Sequence, residues 1–197
     1  MNNVILITGA GRGIGKATAL RAAKKNYFVG VNYLNNKMAA QKTVEEIKSD
    51  GGKAILVKGD VGIKSDVDMI FDTLKNKFGT VTSLVANAGD TPKREPFFKS
   101  SIESLERTIQ VNLMGSIYCV RKFTNDLLES KKRGSIVLIS SEAARFGGNQ
   151  ISTYAASKAG VNAFVVGAAR EVGPYNIRIN AVSPGTIYTE ALASEGK

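Results

Sequence analysis

"LITGAGRGIGKATAL", residues 6–20, joins an apolar run to a segment of helical spacing through a turn rich in glycine. The turn reads T-G-x-x-x-G-x-G, with Thr8, Gly9, Gly13 and Gly15 at the fixed positions. A G-x-G-x-x-G spacing counted from Gly9 and Gly11 would need glycine where Ile14 stands. Glycines let the backbone turn sharply and approach a ligand closely. The following helix would present unpaired N–H groups and the positive end of its dipole, a combination that attracts phosphate. A glycine turn between a buried strand and a helix therefore predicts a nucleotide-binding βα unit.

Working outward, five more apolar runs follow "VILIT": "YFVGVNY", "KAILVKG", "SLVAN", "SIVLIS" and "IRINAVS". They are nearly continuous in Val, Ile and Leu, as strands covered on both faces should be. Helical segments are predicted between them at residues 13–25, 37–49, 65–78, 104–130 and 153–173. Regular alternation of strand and helix predicts one α/β domain, residues 1–197, built on a Rossmann-type, doubly wound parallel sheet of six strands. The last two helices are apolar on nearly every face, so each needs cover on the side away from the sheet. Gly160, Ala163, Gly167 and Ala168 would let another helix come close. A homo-oligomer, dimer or tetramer, is expected through helices 104–130 and 153–173.

Composition excludes several chemistries. The chain has no histidine and one cysteine, Cys119. Ser-His-Asp and Cys-His mechanisms are impossible, no intrachain disulfide can form, and no metal site is expected. Proton transfer must fall to Tyr, Lys, Asp, Glu or water. The start "MNNVILITGAG" carries no basic leader and reads as a first strand; with the lone thiol this suggests a cytoplasmic protein outside the membrane. The net charge of +10 is scattered over predicted helices without a basic tract, which points to a solvated surface and not to nucleic acid.

The second strand ends at "VNY", near where an acid would hold a ribose 2′-hydroxyl. Asn32 stands there, and Arg12 in the glycine turn offers a cation for a 2′-phosphate. NADP(H) is therefore expected over NAD(H), with Asn32→Asp expected to shift the preference. Tyrosine and lysine stand four apart at Tyr33/Lys37, Tyr118/Lys122 and Tyr154/Lys158. Only the third pair follows a strand ending in serine, Ser141, which would place all three at the carboxyl edge of the sheet.

Over residues 1–197 the chain resembles the short-chain dehydrogenase/reductase family. The carrying motifs are "TGAGRGIG", "GDV" at 59–61, "ANAG" at 86–89, "VNLMG" with Asn112, "ISS" ending in Ser141, "YAASK" and "SPGTIYT" at 183–189. Ala86 replaces the usual first asparagine of the fourth-strand motif. The resemblance implies cofactor contacts from Thr8, Gly9, Gly11, Arg12, Gly13, Ile14 and Gly15, from Asn32 and Tyr33, and from Asp60 and Val61 beside the adenine. It adds Asn87, Ala88 and Gly89, then Tyr154 and Lys158, and Pro184, Gly185, Ile187 and Thr189 over the nicotinamide. It also implies hydride transfer between nicotinamide and a ketone or secondary alcohol, with a catalytic set of Asn112, Ser141, Tyr154 and Lys158. Tyr154 would donate the proton, although a free tyrosine, with pKa about 10, needs the Lys158 ammonium to favour its phenolate. Ser141 and Tyr154 would meet the substrate oxygen, and Asn112 would hold a water joined to Lys158.

Asp90, Glu142, Ala144, Asn149 and Tyr188 line the substrate pocket by analogy but name no substrate. The likeness extends to bacterial 3-oxoacyl carrier protein reductases, with Arg133 and Arg170 placed to meet an acyl carrier protein. A cofactor-binding but catalytically silent protein is the further alternative. Family members continue through a substrate-covering helix pair and a seventh strand, so "TEALASEGK" is expected to stand at the start of that cover.

Overall fold

The computed structural model describes residues 3–189; the stretch from Glu190 onward, where the cover is expected, lies outside them. Six parallel strands form one sheet in the order β3-β2-β1-β4-β5-β6. They are β1 Val4–Ile7, β2 Phe28–Tyr33, β3 Lys53–Lys58, β4 Ser83–Ala86, β5 Gly134–Ile139 and β6 Ile177–Val182. The helices are α1 Gly13–Ala23, α2 Lys37–Ser49, α3 Lys64–Phe78, α4 Ile102–Ile109, α5 Gly115–Glu129, α6 Ala143–Phe146 and α7 Ser152–Val172. This is the doubly wound Rossmann-type arrangement expected from the alternation of apolar runs.

The sheet separates two cores because successive side chains of a strand point to opposite faces. Val4 and Leu6 of β1 join α3, α5 and α7 on one face, around Phe71, Phe123 and Leu127. Ile5 and Ile7 join α1 and α2 on the other, around Val29, Val31 and Ile47. Strand order reverses between β1 and β4, the position at which open α/β sheets bind ligands beyond their carboxyl ends. The loops carrying Gly9 and Asn87 both leave the sheet at this crevice.

Three details depart from the sequence reading. The helix expected at 104–130 starts earlier and is broken by a π turn, Gln110–Met114, in which the Gly115 N–H reaches the Gln110 carbonyl. β6 alternates instead of being covered twice: Ile177 and Ile179 are buried while Arg178, Asn180 and Val182 are exposed. Its inner face packs on α7, and its outer face is open among the described residues. The small residues of α7 also divide. A β-carbon at Gly160 would stand 3.0 Å from Leu113 Cδ2, and Ala168 is buried, so both serve packing within the chain. Ala163 and Gly167 lie on an exposed stripe with Ala156, Ala159 and Val166.

Candidate active site

The glycine turn is tight enough to exclude side chains. Gly9 and Gly13 have φ of 63° and 54°, which suits glycine. A β-carbon on Gly15 would stand 2.5 Å from the Gly9 carbonyl oxygen and 2.6 Å from Asn87 Nδ2. Arg12 caps α1 without a side-chain hydrogen bond, and the first turn of that helix has no acid. The helix end thus sets the positive end of its dipole and an exposed guanidinium toward an anion. Gly11 packs beside α2, where an added β-carbon would stand 3.2 Å from Ala40 N. These features fit a dinucleotide pyrophosphate.

Several residues expected to touch the cofactor instead hold this turn. Thr8 is 1% exposed, and its Oγ1 accepts from the N–H groups of Asn87 and Ala88, both at 2.9 Å. Asn87 Nδ2 donates to the carbonyls of Thr8 and Gly9. The Asn32 reading requires correction. Its side chain is buried, accepts from Gly9 N at 3.1 Å, and donates to the carbonyls of Val57 and Gly59, each at 3.1 Å. Tyr33, half-buried, is the residue that closes the strand.

Asn32→Asp is therefore expected to damage the fold without switching the cofactor. The carboxylate cannot donate to the two carbonyls and would be a buried charge without a cation. The expected loss is about 3 kcal/mol or more, read as a lower urea midpoint with both NADPH and NADH binding weakened. A stable variant with a gain in NADH use would restore the sequence reading.

Asp60 lies on the loop after β3. Its Oδ1 accepts from Gly62 N at 2.8 Å, and its Oδ2 meets Arg107 at 2.8 Å. Gln110 Nε2 donates to the Gly62 carbonyl at 2.7 Å. Val61 lies under Gly115, where a β-carbon would stand 2.9 Å from its Cγ2. Loop 60–62 is thus fastened along the helical run that carries Asn112. Sequence reasoning missed Arg107 and Gln110. The available signal was their position five and two residues before Asn112 on the same helical run.

Asn112, in the π turn, is fully buried. Its Oδ1 accepts from Asp90 N at 2.7 Å, while Nδ2 donates to the Asp90 carbonyl and to Ser157 Oγ. The side chain braces the end of β4 against α7. Ser157, also missed, donates to the Tyr154 carbonyl at 2.6 Å and faces Asn112 at helical spacing from the tyrosine.

Lys158 lies one helical turn beyond Tyr154, and its Nζ is 5.8 Å from the tyrosine ring centroid. It is 4% exposed and donates to the Ile139 carbonyl at 2.7 Å, where β5 ends. Burial pushes its pKa down to about 8. A β-carbon on Gly89 would stand 3.4 Å from Asn112 Oδ1 and 3.8 Å from Lys158 Nζ, so three of the singled-out positions converge. Ser141 follows β5, and its Oγ accepts from Ala143 N at 3.1 Å. The loop at 184–189 crosses toward the glycine turn, with Thr189 Cγ2 3.3 Å from where a Gly13 β-carbon would stand. A groove of about 830 Å³ runs along the outer side of α1 to Ile187–Thr189, away from Tyr154 and Lys158.

The other tyrosine–lysine pairs lack this setting. Lys122 is held by Asp72 and Asp126 on the flank of α3 and α5. Tyr33 and Lys37 stand between β2 and α2. Arg133 precedes β5 and Arg170 lies in the last turn of α7, at the amino end of the sheet, while Ser141 follows the carboxyl end of β5. No helix among the described residues is long and apolar enough to cross a membrane.

A family profile described as short chain dehydrogenase matches residues 3–197. An L-rhamnose 1-dehydrogenase (NAD(P)(+)) of Sphingomonas sp. (strain SKA58) is 38% identical over 186 residues, covering 94% of this chain and 73% of that protein. A 3-oxoacyl-[acyl-carrier-protein] reductase of Synechocystis sp. is 38% identical over 187 residues, covering 95% and 75%. The crystal structure of landomycin C-6 ketoreductase LanV with bound NADP and rabelomycin superposes with a TM-score of 0.85 at 30% identity. That match covers 93% of this chain and 76% of the other.

Proposed function

The chain belongs to the short-chain dehydrogenase family and is an NAD(P)-linked oxidoreductase acting on alcohols and ketones; from that premise we propose an NADP(H)-preferring ketone reductase whose proton donor is Tyr154. The observation that supports this most is buried Lys158, one turn from Tyr154 and beside Gly89 at the strand-order reversal. A bound nicotinamide supplies or takes the hydride. Tyr154 gives its hydroxyl proton to the carbonyl oxygen, Ser141 orients that oxygen, and Lys158 supports the phenolate. Asn112 positions the strand end and α7 around them. The exposed small-residue stripe of α7 supports self-association of this chain, which light scattering tests directly.

The NADP(H) preference rests on Arg12 and on a second-strand end without an acid, running Tyr33, Leu34, Asn35, Asn36, Lys37. Ketone-dependent oxidation of NADPH and NADH tests it. Wild type should favour NADPH, and Arg12→Gln should raise the KM for NADPH roughly 10-fold, about 1.4 kcal/mol, while sparing NADH. Equal use of both cofactors by wild type would defeat the assignment.

Acyl carrier protein substrates form a second reading, favoured by likeness to a carrier protein reductase. Arg133 and Arg170, at the amino end of the sheet, are the cations this reading would offer to an acidic carrier.

A further inference from the structure

Glu142 is the residue immediately after Ser141, and the pocket position it holds by analogy leaves the task of its carboxylate open. Its backbone is fixed on both sides. Its N–H donates to the Pro184 carbonyl at 3.0 Å, and its own carbonyl accepts from Arg145 N at 2.9 Å and Phe146 N at 3.3 Å. Its Oε2 lies 3.0 Å from the point a β-carbon on Gly185 would occupy. The carboxylate, one residue along the chain from the serine, therefore lies against the loop at 184–189, with glycine leaving room for it.

No cation neutralises this group among the described residues. The nearest arginine in sequence, Arg145, stacks over the Phe146 ring with its Cζ 5.4 Å from the centroid. In a chain of net charge +10, an unpaired carboxylate beside the serine gives the mouth of the site a local charge opposite to that of the whole molecule. A substrate with its own carboxylate or phosphate near the reacting carbon would meet like charge there. Hydroxyl groups next to the carbonyl would find a strong charged acceptor.

We propose that Glu142 selects the substrate class: neutral carbonyl compounds bearing hydroxyl groups beside the reacting carbon, with anionic keto acids rejected. This rests on the reductase reading and on Ser141 as the residue that orients the substrate oxygen. The redox step is unchanged: the carbonyl carbon gains a hydride from NADPH, which leaves as NADP⁺, and the oxygen gains the Tyr154 proton. Glu142 acts only on what stands next to that carbon.

The test compares kcat/KM with NADPH for dihydroxyacetone, butanone and pyruvate in wild type and Glu142→Gln. Wild type should prefer dihydroxyacetone to butanone by about 10-fold or more and use pyruvate least. Glu142→Gln should narrow the first preference and raise pyruvate use about 10-fold relative to butanone. Identical substrate ratios in the two proteins would overturn the proposal.

If no ketone is reduced although NADPH binds, the reductase reading has failed. Calorimetry of glycerol and lactate binding to the NADP⁺ complex then decides the role of Glu142. Weaker glycerol and stronger lactate binding in Glu142→Gln upholds it, and unchanged affinities remove it. The residue is exposed, so the variant should fold.

Discussion

Tyr154→Phe should lower ketone-dependent NADPH oxidation about 10³-fold, within the 10²–10⁴ that a positioned acid or base contributes. The substitution keeps the ring and removes only the hydroxyl. Tyr154 is half-buried near the start of α7, where its carbonyl accepts from Ser157, a bond that phenylalanine retains. Unfolding midpoint and NADPH affinity should therefore stay near wild type, separating lost chemistry from lost structure. Tyr118→Phe provides the control, because neighbouring Lys122 is committed to Asp72 and Asp126. Residual turnover within a few-fold of wild type in the Tyr154 variant would dismiss the proton-donor assignment.

Lys158→Met should abolish turnover and also weaken NADPH binding, because the ammonium is proposed to support the phenolate and stands among the expected cofactor contacts. The buried amine has a pH signature as well. Burial lowers its pKa from 10.5 to about 8. Below pH 8 the ammonium is present, so ketone reduction should be fastest there and decline as pH rises through 8.

Stability moves the other way. Between about pH 8 and 10.5 the unfolded chain holds the proton that the folded chain has released, so stability rises with pH across that window. The full effect is about 3 kcal/mol, and it is a cost of the charged form that persists below pH 8. Subtracting urea unfolding curves of Lys158→Met from those of wild type isolates this lysine from others titrating nearby. A difference independent of pH from 7 to 10.5 would show that Lys158 is not desolvated as described.

The sheet was legible in the sequence because its central strands are buried on both faces, which writes them as unbroken Val, Ile and Leu. The glycine turn was legible because sterics at Gly9, Gly13 and Gly15 leave little choice of residue. Depth was not legible. Asn32 and Tyr33 are neighbours in sequence, yet one lies beneath the turn and the other closes the strand, and only the three-dimensional position of Gly9 and Gly59 decides which. Direction along the sheet was not legible for Arg133 and Arg170, whose charge suggested a partner while their places at strand and helix ends set them at its amino end. The Arg107–Asp60 pair joins positions 47 apart and leaves no local pattern.

The π turn at Gln110–Met114 has a consequence for inheritance. Its wider ring holds one residue more than ordinary winding requires, so loss of a single codon within it would let the run from Ile102 to Glu129 close into a uniform helix. Each residue of an α-helix advances about 100° around the axis, and the wider turn absorbs one such step. The segments on either side would therefore keep their facing, Arg107 toward Asp60 and Gly115 against Val61. What the deletion removes is the local widening that carries Asn112 to Asp90 and Ser157. A one-residue frame-preserving deletion here would spare both flanks and lose the brace between them.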